Sequence, residues 1–129
     1  REVIVENGGD IFIHSGRERL VGIFAGESRL SGKIKLKVAP TPAKGIGVCT
    51  SSATVGPSYS AGGADCALVV ATTASLADAA ATGLGNRVKS PDHIEEALSW
   101  TSGIEGVLGA LVIIGENLGA QGDLELQQT

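Results

Sequence analysis

The run ALVVATTASLADAAATGLGN, residues 67–86, constrains the fold more than any other part of the chain. Its first five residues are apolar without a break, the pattern of a strand buried on both faces or covered by a helix on one. Thr72 or Thr73 can cap the next segment, where Ala, Leu and an early acid favour a helix from about Ala74 to Val88 despite Gly83 and Gly85. Side chains this small let a helix sit tightly on a sheet. A helix laid on a strand that precedes it directly is therefore the first expectation.

The flanking sequence supplies more strands. Glu2–Val5 and Asp10–His14 are short β-type runs separated by ENGG, which predicts a tight turn at Asn7–Gly9. Leu20–Ala25 reads as another strand. KIKLKV alternates Lys33, Lys35 and Lys37 with Ile34, Leu36 and Val38, the period of a half-exposed strand, and its lysines also suit a sheet edge. Ile46–Thr50 is a brief apolar run leading into TSSATVGPSYSAGG, which has the composition of a loop. Ser90-Pro91-Asp92 starts a second helix that runs to about Thr101. GVLGALVII and GDLELQ then read as two strands joined by GENLGAQ. Strands, two consecutive helices and a closing hairpin predict an α+β fold, a mostly antiparallel sheet with both helices packed on it.

At 129 residues the chain is long enough for one hydrophobic core. A net charge of −4 gives no electrostatic footprint for nucleic acid, and no apolar run approaches the roughly 20 residues of a membrane span. Cys49 and Cys66 are too few for a disulfide framework and sit in strand-like surroundings, which points to a reducing, cytoplasmic setting. No methionine occurs anywhere. The expectation is a single domain or the C-terminal part of a longer one, whose absent N-terminal portion would be a partner in any shared site.

Among candidate functional residues, Asp78 and Thr82 come first. Four apart on a helix, they stand on one face, and a carboxylate beside a hydroxyl suits Mg²⁺, which takes few protein oxygens and completes its shell with water and phosphate. The competing reading is structural: an acid in the first turn complements the helix dipole. Spacing alone favours the structural reading. Gly8 and Gly9 offer backbone N–H groups to a phosphate, or simply make a turn, and the turn is the favoured reading. Cys49, Thr50, Ser51 and Ser52 cluster, but a nucleophile needs a base, and His14 and His93 are both distant in sequence. The hydroxyls read as hydrogen-bonding groups for a ligand or for the loop. Zinc spacing, a Walker loop and a dinucleotide fingerprint are all lacking, and Trp100 reads as a packing residue.

Taken in order, VENGGDIFI, GVCTSSATVG and ALVVATTASLADAAATGLGN resemble the ApbE-like superfamily, most closely its uncharacterised branch, and GALVIIGENLGAQGDLEL is similar to that branch as well. The resemblance implies a T-fold-like α+β structure and a Mg²⁺-dependent flavin transferase, which binds FAD and moves FMN onto a threonine of an acceptor protein. It assigns the metal to Asp78 and Thr82 of ADAAAT, and the flavin nucleotide to Gly8, Gly9, Thr50, Ser51 and Ser52. Where that family carries a histidine-containing segment, this chain has ATVGPSYSAGGAD; Asp65 is a candidate substitute base, though an acid leading into a strand is more often a turn residue. A structural or assembly domain that keeps the fold without chemistry is the rival expectation.

Overall fold

The computed structural model describes residues 3–7, 10–16, 18–23, 28–30, 32–38, 45–51 and 63–128. A six-stranded sheet runs in the order β1 (Val3–Asn7), β2 (Asp10–His14), β5 (Ile46–Ser51), β6 (Cys66–Ala71), β7 (Val107–Ile114) and β8 (Asn117–Gly122). A second sheet contains β3 (Arg19–Ile23), β4 (Ile34–Val38) and β9 (Glu125–Gln128), with β4 in the middle. All the pairings are antiparallel. Helices α1 (Ala74–Arg87) and α2 (Ile94–Ser102), separated by a 3₁₀ turn at Pro91–His93, connect β6 to β7. The α+β class, the antiparallel pairing and the two consecutive helices agree with the sequence reading.

Side-chain alternation along β6 builds the layers. Ala67, Val69 and Ala71 face the helices, where they pack with Ala77, Ala80, Ala81 and Leu84 of α1 and with Ala97 and Leu98 of α2. Cys66, Leu68 and Val70 face the second sheet and pack with Ile23, Leu36 and Val38. The six-stranded sheet is thus the middle layer, and every residue of β6 is buried because both its faces are covered. Small residues line the helix side, while Leu and Ile dominate the other. An alanine-rich helix can bury enough surface only by close approach, and Gly47 shows how close: a Cβ there would stand 2.5 Å from Ala74 Cα. At the start of α1, Thr73 Oγ1 accepts the Leu76 N–H (3.1 Å), so Thr73, not Thr72, is the cap.

Two expectations are corrected. The lysines of β4 do not mark an edge, since β4 is the central strand of its sheet. Their alternation records a solvated outer face: Leu36 and Val38 are buried inward, and Lys37 pairs outward with Glu125 (3.3 Å) and Glu18 (3.5 Å). At the C-terminus, GENLGAQ is mostly strand. β7 and β8 are joined through Gly115 and Glu116 alone, with Ile114 opposite Asn117 and Gly115 at φ 60. NLGAQG has little intrinsic strand preference, and pairing with the buried β7 supplies the order its composition does not. β9 leaves for the second sheet and places Leu126 opposite Leu36.

Both cysteines are buried and neither is in a disulfide. Burial, reinforced by the neighbouring charge of Asp65, pushes the Cys66 thiol from 9.0 up to about 12. This stabilisation is complete below the unfolded-state value and is lost as pH rises through the folded one, because the unfolded chain ionises first. Between pH 9 and 12 the wild type should therefore lose stability faster than Cys66→Ala, by about 1.4 kcal/mol per pH unit. Urea unfolding of both proteins at pH 8, 9 and 10 measures the difference; parallel slopes would contradict a protonated, buried thiol.

Candidate functional site

Of the predicted site residues, strand register places Thr50 and Ser51, at the end of β5. Asp10 lies opposite Cys49, so the start of β2 adjoins the end of β5, where Thr50 and Ser51 are half-buried and paired with Leu68 and Ala67 of β6. Gly8, Gly9 and Ser52 lie outside the described residues.

Helix α1 runs alongside β5 in the same direction. Its first residue abuts Gly47, and a Cβ at Gly85 would stand 3.3 Å from Ser51 Oγ. The helical rise from Ala74 to Gly85, about 16 Å, matches the strand rise from Gly47 to Ser51, about 13 Å. Ala74, Asp78, Ala81 and Gly85 form one ridge of i, i+4, i+7 and i+11, whose two ends touch β5. Asp78 consequently occupies the flank of α1 turned towards β5. Thr82 stands one turn further on, near the level of Thr50 and Ser51. Both Asp78 and Thr82 are exposed, so their oxygens face solvent along this rim.

The dipole explanation for Asp78 does not hold, because α1 has no acid in its first turn and the effect fades beyond it. Among the described residues, no three His, Cys, Asp or Glu side chains group as a metal site. Asp78 and Thr82 are a two-oxygen set. That donor set fits Mg²⁺, a hard ion that arrives with water and phosphate ligands, and does not fit a closed structural metal centre.

Asp65 is occupied in a different way. Its Oδ2 accepts the Gly115 N–H (2.7 Å), while its own N–H donates to Ile113 O (2.8 Å). Ser28 Oγ donates to Gly115 O (2.5 Å), and Arg29 pairs with Glu116 (3.3 Å). These contacts tie the β7–β8 turn to the start of β6 and to the segment before β4. Asp65 is an anchor of that corner.

The sequence reading missed a second cluster, between the end of α1 and α2. Arg87, His93, Glu96, Ala97 and Trp100 line a cleft of about 350 Å³. The Arg87 guanidinium stacks over the Trp100 ring, 3.7 Å from its centroid, and Nη1 donates to Gly83 O (2.9 Å). His93 Nδ1 accepts the Lys89 N–H (3.0 Å). The one local signal was Gly83: a Cβ there would meet the Trp100 ring at 2.5 Å, so the glycine makes room for the indole.

Comparison with known proteins finds relatives of the chain as a whole. A family model described as AbpE bacteria matches residues 1–118. A UPF0280 protein of Methanocella arvoryzae is 46% identical over 121 residues, covering 94% of this chain and 49% of the relative. A UPF0280 protein of Methanococcus aeolicus is 44% identical over 127 residues, covering 96% and 51%. A third, from Methanocaldococcus jannaschii, is 37% identical over 134 residues, covering 100% and 55%. The chain thus spans about half the length of these curated relatives. These findings correct the resemblance to the ApbE-like superfamily, since no ApbE or flavin transferase family is among them. The alanines of one motif that carried it have a packing explanation: Ala77, Ala80 and Ala81 of ADAAAT are buried against the sheet.

Proposed function

The chain belongs to the family described as AbpE bacteria, and from the exposed oxygens along its α1 we propose that it binds a nucleotide diphosphate, FAD or a related flavin nucleotide, together with Mg²⁺, at the rim between α1 and the end of β5. The observation that carries the reading is the exposed Asp78–Thr82 pair on the flank of α1 whose ridge ends against Ser51, with no helix-dipole role to account for the acid. Asp78 and Thr82 hold the ion. Ser51, on the helix side of β5, hydrogen-bonds the phosphates; Thr50 points to the opposite face of the strand and belongs to the proposal, with Gly8, Gly9 and Ser52, from its sequence position alone. When bound, the ion neutralises phosphate charge and polarises the diphosphate.

Transfer of FMN to a protein threonine is the activity to be sought, in a cytoplasmic setting and with the remainder of a chain as long as the relatives completing the site. The T-fold reading, with the helix pair between β6 and β7 lying on an antiparallel sheet, belongs to this proposal too. Among the described residues no helix is long and apolar enough to cross a membrane.

Calorimetric titration of FAD in the presence and absence of Mg²⁺ tests the site. Binding should require the metal and weaken at least tenfold in Asp78→Ala, an estimate corresponding to about 1.4 kcal/mol. Because Asp78 is exposed, its replacement should change folding stability by no more than about 0.5 kcal/mol. Equal binding by wild type and variant would remove the proposal. A second reading, a structural or assembly domain, is favoured by β8, an uncharged strand at the end of the large sheet with Leu118 exposed. It predicts no binding of FAD under any condition, together with self-association measurable by sedimentation.

A further inference from the structure

The cleft between α1 and α2 combines features that packing alone does not require. Arg87 is fixed on two sides, by the indole beneath it and by Gly83 O, so its guanidinium is held in place before anything binds. Only one of its five N–H donors is used in that bond. His93 is fixed as well: by accepting the Lys89 N–H at Nδ1, the neutral ring must carry its proton on Nε2, which makes that atom a donor. Glu96 lines the same cleft, yet among the described residues neither Arg87 nor Glu96 forms an ion pair. Opposite charges that share one small cleft without touching leave room for a molecule that satisfies both.

We propose that this cleft binds a small oxyanion whose neighbouring atom carries a hydrogen-bond donor, such as a hydroxy acid or a hydroxylated phosphate ester. Arg87 and His93 donate to the anionic group. A planar guanidinium fork suits either a carboxylate or a phosphate. Glu96 repels any anion in the cleft, and a hydroxyl beside the anionic group offsets that repulsion by donating to the carboxylate, while Trp100 forms the apolar wall. A volume of about 350 Å³ lies at the lower end for ligand pockets and limits the occupant to a small molecule. The site is independent of Asp78, which lies on the opposite flank of α1.

Trp100 is the only tryptophan, so its fluorescence reports on the cleft directly. The full chain would be titrated with glycolate, acetate and glycerol 3-phosphate, and the indole N–H followed by NMR as a second readout. Saturable binding of glycolate or glycerol 3-phosphate is expected, and the tighter of the two identifies the preferred anion. Glycolate should bind several-fold tighter than acetate, a preference that narrows in Glu96→Gln. Arg87→Gln should weaken binding at least tenfold, whereas Asp78→Ala should leave it unchanged. Arg87→Lys, which keeps the charge but loses the fork and the stack, should fall between wild type and Arg87→Gln and guards against misfolding of the latter. No saturable response to any of the three ligands, or equal affinities across the Arg87 variants, would overturn the proposal.

Discussion

Gly47→Ala should destabilise the protein by about 3 kcal/mol and lower its melting temperature by roughly 10 °C. The added Cβ would lie 2.5 Å from Ala74 Cα, 2.6 Å from Ala74 N and 2.7 Å from the Thr73 carbonyl carbon. All three are backbone atoms, so no rotamer change relieves the clash. The start of α1 must move away from β5, which also disturbs the Thr73 cap and opens the packing of Ala77, Ala80 and Ala81. The same movement reaches the candidate site. If Asp78 and Thr82 work with Ser51, FAD–Mg²⁺ affinity should fall in Gly47→Ala under conditions where the variant is still folded. Thermal unfolding by circular dichroism gives the stability, and a shift under about 2 °C would mean that helix and sheet are not in such close contact.

Leu111→Ala should cost about 3–4 kcal/mol, for the opposite physical reason. Leu111 is fully buried on the face of β7 that meets the second sheet, among Leu36, Leu68 and Ile113. Removing its isopropyl group leaves a void that β-sheet backbones on both sides, each held by its own hydrogen bonds, cannot collapse to fill. Leu108→Ala on the same strand should be much milder, since Leu108 is 36% exposed. Urea unfolding of the two variants separates them. Equal and small losses would mean that the second sheet does not pack on the first as described.

The element sequence was largely legible because its signals are local. An unbroken apolar β6, a Thr cap, an alanine-rich α1 and Pro91 at the start of the next helical turn each reflect the preferences of a few neighbouring residues. The failures were tertiary. Alternating lysines show that one face of β4 is wet, and no local pattern tells a solvated face from a sheet edge. NLGAQG looked like a connection because its glycines lack strand preference, yet a paired neighbour outweighs that preference.

The candidate sites divide in the same way. Asp78 and Thr82 were visible because i and i+4 share a helical face, but their level beside Thr50 and Ser51 depends on how α1 is laid along β5. Arg87, His93, Glu96 and Trp100 were invisible as a group, since they span a helix end, a 3₁₀ turn and a second helix whose mutual placement no local spacing encodes. By itself the sequence determined which segments are helix or strand and which side chains are small, because those properties come from short-range preference and composition. The tertiary structure alone decided which strands are central, which acid anchors a turn and which is left exposed, because these depend on contacts between residues far apart in the chain.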